Sequence, residues 1–492
     1  MIKIFNETIR LQKNFWNGCV FHPTDAVEDP WGKRILDQMS ADDAVKRIRI
    51  YTMFEDIVYV GADGELQFDF RINDLRLDYL VEKGYDLFLA YGGMPDCIAR
   101  DCVSKSTAAK GKTRYKGKMW NTSPPKTAEI WEEVCYQYTK HIVERYGVER
   151  VSKWYCHCFN EPDTSLFFMG TLHWTDFEPR VLEYYSMYKA FVNGIRRVSK
   201  EIPVGGPALA NREDFLEMFL RCVKAEKTEL NFISLHYYGA DPFGLNEGTV
   251  EFGVLNILDK HRAKLQIIEK CGFGNIPILI DEWGAASHGF LNKEECPMLM
   301  FRETEKYSAY YTCLIYDIIH SEFEVQELMI CLSGQHEMTE DFSGFRNFFT
   351  LNFIQKPIYN TYILASKLGE NLVKAEWTDT NVSVIPTKNE KGSYVVLLCY
   401  ATKNFSDKLA DKKETLVFEE DICDKIVTVW VIDKEHTNPY RLYQKMGWTD
   451  LSQEQIKILK EEGKLKPISK TTGKSNIELS LSANSTFLIT IE

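Results

Sequence analysis

Two glutamates stand out by what precedes them. Glu161 lies within Phe159-Asn160-Glu161-Pro162-Asp163, and Glu282 within Ile278-Leu279-Ile280-Asp281-Glu282-Trp283-Gly284. Each follows a short apolar run of the kind that forms a strand buried on both faces, so each run delivers one carboxyl to a strand end. Two carboxyls on one rim of a parallel barrel suffice for glycoside hydrolysis: one protonates the leaving oxygen and the other acts on the sugar carbon. An isolated Asn-Glu-Pro is a common turn, so the argument rests on the pair.

Other residues at strand ends could serve this chemistry. His236 and Tyr238 close the run Phe232 to Tyr238 and could donate to a carboxylate that must stay ionised. Arg49, in Val45 to Thr52, offers a permanent charge for the same task. Each also has a purely structural reading: a satisfied strand-end histidine, a core-facing tyrosine, an arginine paired with a structural carboxylate. Trp120 and Trp283 offer faces for sugar stacking, although tryptophan is also frequent in cores. Strand alternation turns Asp281 away from Glu282, which makes it structural. Cys156-His157-Cys158 has the look of a metal cluster, but the same alternation puts the cysteines on one face and the histidine on the other, so no metal is expected.

The elements that must position these side chains recur along the chain. Apolar runs at Phe15 to Val20, Val45 to Thr52, Tyr85 to Tyr91, Val151 to Asn160, Ile202 to Pro207, Phe232 to Tyr238, Ile276 to Glu282 and Leu328 to Ser333 alternate with helical patterns. Before the fourth run, Thr127 can cap a helix, Ile130, Val134, Tyr138 and Ile142 recur at helical spacing, and Gly147 stops it. Eight strand–helix units predict a closed (β/α)₈ TIM barrel over residues 15–370, its last helix running from about Lys356 to Lys367. Beyond Gly369 the spacing changes. Val382 to Ile385, Ser393 to Tyr400, Ile426 to Ile432 and Ser482 to Ile491 read as strands, and Leu451 to Glu462 as a helix, which predicts a C-terminal β-sandwich over 371–492. The N-terminal segment 1–14, with Thr8 to Leu11 just before the first barrel run, is expected to join that module.

Bulk properties narrow the partners. A net charge of −12 repels phosphate backbones, which excludes nucleic acid as a natural partner. The 13 cysteines include no Cys-x-x-Cys and read as reduced thiols in a cytoplasmic setting, not as a disulfide framework. The first residues carry no apolar signal-like core, and no apolar run reaches the roughly 18 residues of a membrane span. No glycine-rich nucleotide fingerprint follows a strand, so no cofactor is expected.

Several stretches resemble glycoside hydrolase family 39, the β-xylosidase and α-L-iduronidase family of retaining barrel enzymes. They are Lys153-Trp154-Tyr155 leading to Asn160-Glu161-Pro162, Ile278 to Trp283, Tyr115 to Lys118 with Ser123 to Lys126, Lys356 to Asn360, and Asn438 to Arg441 with Met446-Gly447. The resemblance runs across most of the chain. It implies Glu161 as the general acid/base, Glu282 as the nucleophile, and Asn160 as the partner of the sugar 2-hydroxyl. It places a histidine and a tyrosine where His236 and Tyr238 stand, and it implies a carbohydrate substrate and a homo-oligomer.

The departures from the xylosidase pattern fall in the sugar pocket. Those enzymes carry Phe-His-Gly after the second-strand arginine, whereas Arg49 is followed by Ile50-Tyr51-Thr52, and Phe159 replaces the usual Trp. The eighth strand usually brings a Trp and paired glutamates. Here it reads Ile330-Cys331-Leu332-Ser333-Gly334-Gln335-His336-Glu337, leaving Glu337 alone to reach the glycone. The expectation is therefore a retaining exo-glycosidase resembling the β-xylosidases. Its alternatives are an arabinosidase, a galactosidase or an α-L-iduronidase-like enzyme, the last with Arg114, Lys116, Lys118 or Arg346 meeting a carboxylate, or a catalytically silent carbohydrate-binding protein.

Overall fold

A computed structural model describes residues 1–12, 15–21, 26–102, 121–169, 177–289, 291–321, 323–332 and 338–492. Eight parallel strands close into a barrel: Gly18–Phe21, Arg47–Tyr51, Asp86–Tyr91, Tyr155–Cys158, Val204–Leu209, Phe232–Ala240, Ile278–Ala286 and Val325–Cys331. Each overlaps one of the eight apolar runs, and barrel strands below are counted in this order. The helix before the fourth strand spans Ala128–Tyr146. Thr127 Oγ1 accepts from the Ile130 amide at 3.3 Å, and Gly147 ends it at φ 81°. The helix after the eighth strand is Pro357–Ser366.

The barrel interior is filled below the rim by Val20, Phe88, Phe232, Leu279, Met329 and Cys331. Gly205 makes room for this layer, since a Cβ there would lie 2.4 Å from the Phe232 carbonyl oxygen. Outward-facing residues pack on the helices in a second, larger core.

The seventh strand departs from regular pairing. Ile280 sits opposite Leu235 and Glu282 opposite His236, so two residues of this strand span one step of the sixth. This bulge breaks the alternation locally. Leu279 and Asp281 both reach the interior, Glu282 follows on the same side, and Trp283 turns outward.

Nine further strands form a mixed sheet in the order Pro467–Thr472, Ile426–Ile432, Ser485–Ile491, Tyr394–Tyr400, Val382–Lys388, Asn371–Glu376, Ile2–Arg10, Lys412–Phe418, Asn476–Leu481. Inward residues from every strand but the edge strand Pro467–Thr472, including Ile4, Val396, Val429, Leu479 and Ile489, share one core, which gives the sandwich character. The N-terminal strand is antiparallel to Asn371–Glu376 and parallel to Lys412–Phe418. The Leu451 to Glu462 pattern forms a helix, Gln453–Gly463, closed by a Ser452–Gln455 capping box.

This sheet is anchored to the barrel through Glu305, the first residue of the helix Glu305–His320 that follows the seventh strand. Its buried carboxylate accepts from Arg441 Nη2 at 2.6 Å and Asn438 Nδ2 at 2.8 Å. Deleting residues 2–11 removes the strand between Asn371–Glu376 and Lys412–Phe418 and exposes both edges. The truncated protein is expected to aggregate and to melt at a lower temperature; an unchanged Tm by differential scanning fluorimetry would contradict this packing.

Candidate active site

Strands two, four, six and seven bring their C-terminal ends to one point. In the second, Arg49 and Tyr51 alternate inward between the outward Ile48 and Ile50. In the sixth, His236 and Tyr238 face the interior while Leu235 and Tyr237 pack outward. In the fourth, His157 faces in and Cys156 and Cys158 face the helices, as alternation requires.

After Cys158 the chain turns sharply. Phe159 and Glu161 adopt positive φ of 62° and 41°. These are sparsely populated conformations for such residues and persist only where the surroundings hold them. The hold is visible: the Phe159 amide donates to the Tyr91 carbonyl at 2.8 Å and the Glu161 amide to the Ala208 carbonyl at 3.0 Å. Buried Asp163 accepts from the amides of Ala210, Asn211 and Arg212 at 2.8–3.0 Å, tying this loop to the one after the fifth strand.

Arg49 is fully buried at the centre. Its Nη1 donates to Glu282 Oε1 at 2.8 Å, its Nη2 to Asn160 Oδ1 at 2.8 Å, and its Nε to His157 Nε2 at 3.2 Å. The Tyr51 hydroxyl donates to Glu282 Oε1 or Asn160 Oδ1, each 3.2 Å away, and the Tyr238 hydroxyl donates to Glu282 Oε2 at 2.7 Å. With Oδ1 occupied, Asn160 keeps its Nδ2 donor for an incoming hydroxyl. His236 Nδ1 lies 2.8 Å from Glu161 Oε1 and 3.7 Å from Glu282 Oε2.

The two carboxyls are held in opposite states. Burial pushes Glu161 above the usual carboxylate range, against the pull of His236. Burial also works to raise Glu282, but His236, Arg49, the Tyr238 hydrogen bond and Arg346 overcome it and hold Glu282 at about 2. Divergent pKa values in a neighbouring carboxyl pair are the signature of an acid and a nucleophile or base. His157, stripped by burial and by the Arg49 charge, is held well below its ordinary value and stays neutral as an acceptor.

Among the described residues, Glu161, His236 and Glu282 bring three potential metal-binding atoms within 4.8 Å of one another. A dication there would face the Arg49 guanidinium 2.8 Å from Glu282, and both Glu282 oxygens already accept hydrogen bonds. The cluster is built for proton exchange and not for coordination.

Six expected residues thus converge: Glu161, Glu282, Asn160, His236, Tyr238 and Arg49. Trp283 does not join them. It is fully buried on the outer face, stacked on Tyr311 at 5.4 Å and Tyr310 at 6.4 Å between ring centroids, so it braces the seventh strand and is no sugar platform. Asp281 is also not as expected: alternation from Leu279 already turns it inward, and the bulge brings Glu282 onto the same side instead of the opposite one. Trp120, Glu337, Arg114, Lys116 and Lys118 lie outside the described residues. Tyr51, His157 and Asp163 were missed. Tyr51 alone carried a signal, since it sits two residues from Arg49 on the same strand face.

The profile of glycosyl hydrolases family 39 matches residues 2–477. The chain belongs to this family. As a member of glycosyl hydrolases family 39 it is a glycoside hydrolase, and its substrate is a carbohydrate. It is 26% identical over 499 residues to a β-xylosidase of Caldicellulosiruptor saccharolyticus, covering 97% of this chain and 95% of that one. In fold it is similar to a β-xylosidase from Caulobacter crescentus described as monomeric, with TM-score 0.83, 20% identity, and coverage of 100% and 99% of the two chains. It is also similar to a bacterial orthologue of human α-L-iduronidase, with TM-score 0.77, 15% identity, and coverage of 100% and 83%.

Trp283→Ala is expected to cost about 3–5 kcal/mol of stability, the range for deleting a buried Trp. Urea denaturation checks this; a loss below about 1 kcal/mol would contradict a bracing role.

Proposed function

We propose that the protein is a retaining exo-glycosidase, with Glu161 as acid/base and Glu282 as nucleophile, acting on a terminal sugar of β-xyloside type. The observation that carries this is the closeness of the two carboxyls, with ligating oxygens of both within a 4.8 Å cluster. Retaining enzymes space these groups at about 5–5.5 Å, whereas inverting ones need about 6.5–9.5 Å to admit a water.

Glu161 gives its proton to the glycosidic oxygen while Glu282 attacks the anomeric carbon and the C–O bond breaks. Water then attacks the glycosyl-enzyme, and Glu161, now a carboxylate, takes its proton. Asn160 Nδ2 meets the sugar 2-hydroxyl. The β-xylosidase relative supports a neutral pentose.

A second reading, a terminal uronic acid, is favoured by Arg346. Its buried guanidinium lies 5.2 Å from the centre of the Tyr238 ring and its charge reaches Glu282, which puts a cation beside the glycone. The relative described as an iduronidase orthologue points the same way.

A reducing, cytoplasmic setting is part of this proposal, on the ground that the thirteen cysteines include no Cys-x-x-Cys pair. The homo-oligomer expected from the family is opposed by the relative described as monomeric. Light scattering at a single-chain mass of 57.1 kDa would overturn it.

Nitrophenyl β-xyloside, α-L-arabinoside, β-galactoside, β-glucuronide and α-L-iduronide separate the readings. One substrate is expected to turn over and Glu282→Ala to abolish it; turnover that survives the substitution would refute the nucleophile. If the uronide is the substrate, Arg346→Gln is expected to lower uronide relative to xyloside kcat/KM at least about tenfold.

The pH profile follows from the two shifts. Activity requires Glu282 ionised and Glu161 protonated. The acidic limb is therefore expected near pH 2 unless unfolding precedes it, and activity falls on the basic side through the raised Glu161 value. In Glu161→Ala, assayed with an activated aryl glycoside, the basic limb is expected to vanish; its persistence would assign it to another group.

A further inference from the structure

We infer that Asp281 is a positioning residue for the acid/base step: it keeps His236 an imidazolium, so that Nδ1–H always donates to Glu161 Oε1 and the transferable proton is confined to Oε2. The inference deepens the proposed function and rests on Glu161 being the acid/base.

Asp281 is fully buried, and neither of its oxygens accepts a conventional hydrogen bond from a described group. A carboxylate so placed is costly unless cations surround it. Its Oδ2 lies 3.0 Å from Arg49 Nε, 3.4 Å from His236 Nε2 and 3.9 Å from His157 Nε2. An imidazole nitrogen at 3.4 Å from a carboxylate carries a proton, because a lone pair there would face an anion.

On the other side of the ring, Nδ1 lies 2.8 Å from Glu161 Oε1. The elements around His236 add Glu282 from the seventh strand and Arg49 and His157 from the second and fourth. Asp163, Lys264, Tyr51 and Tyr238 act on Glu161 from further out. Burial alone would discharge His236, but Glu282, Asp281 and Glu161 raise it to about 10, well above the neutral range.

The consequence is directional. A protonated Glu161 accepts on Oε1 and carries its proton on Oε2, facing the leaving oxygen. When that proton departs, the carboxylate left behind receives a charge-assisted bond that was weaker before, and this is stabilisation realised as the reaction proceeds. Only the Glu161 proton moves; both His236 protons stay.

Selective ¹⁵N-histidine labelling tests this directly. In wild type, His236 is expected to remain doubly protonated at pH 8, and in Asp281→Asn to be neutral at that pH. A neutral His236 in wild type at pH 7, or an unmoved titration in Asp281→Asn, would overturn the inference, and neither readout depends on turnover.

In kinetics, loss of the imidazolium removes a cation that depresses Glu161. The basic limb of kcat/KM is therefore expected to move to higher pH in Asp281→Asn. Rates with poor leaving groups are expected to fall about 10²-fold, a share of what general acid catalysis supplies. Dinitrophenyl glycosides, which need no acid, are expected to change little. Asp281→Glu, which keeps the charge, is expected to restore the limb. A uniform loss for all leaving groups with an unmoved limb would mean a merely structural role. If wild type hydrolyses nothing, the proposed function fails, while the imidazole titration still decides this one. Should Asp281→Asn not fold, the same titration in Asp281→Ser carries the decision, with the same outcomes.

Discussion

A fully buried guanidinium can exist only if its surroundings complete it, and Arg49 is completed from two other strands, the fourth and the seventh. Glu282 and Asp281 balance its charge, and Asn160 and neutral His157 accept its remaining hydrogens. Burial works against this cation, and the nearby Tyr51, Asp281 and Glu282 hold its proton on more tightly than usual. Because the fork of Arg is planar and rigid, it sets the positions of its partners relative to one another. The nucleophile candidate and the asparagine beside the acid are therefore fixed to the same plane before any substrate arrives.

That arrangement depends on a scaffold that cannot shear. The seventh strand is pressed from outside by Trp283 on Tyr310 and Tyr311, and the helix bearing those tyrosines is packed on its far side against the mixed sheet. Cys313 on this helix lies 3.8 Å, sulfur to sulfur, from Cys399 on the sheet, and Glu305 at the helix start is clamped by Arg441 and Asn438. The sheet thus contributes no side chain to the cluster around Arg49, yet it closes the stack that holds Glu282 in place.

Much of this was legible in the sequence because burial on both faces leaves a continuous apolar run. Most of the barrel strands announced themselves that way, Arg47–Tyr51 by alternation instead, and Glu161, Glu282, His236 and Tyr238 stood at strand ends. The strands Lys412–Phe418, Pro467–Thr472 and Asn476–Leu481 did not, because they are short, half-exposed and rich in Lys, Ser, Thr and Glu. Asp281 was misread for a different reason. A bulge is a property of pairing between strands and leaves no mark in the spacing of one strand. Trp283 was the reverse case, since regular alternation after Glu282 already pointed it outward. Tyr51 and His157 acquire meaning only from Arg49, a contact made across the barrel between residues 108 apart in the case of His157.

The central claim is that two carboxyls this close act by double displacement. Proton NMR of the reaction mixture in its first minutes reads the anomer released before mutarotation. The account predicts a sugar with the same anomeric configuration as the substrate. Release of the opposite anomer would mean direct attack by water, and the roles given to Glu161 and Glu282 would be wrong.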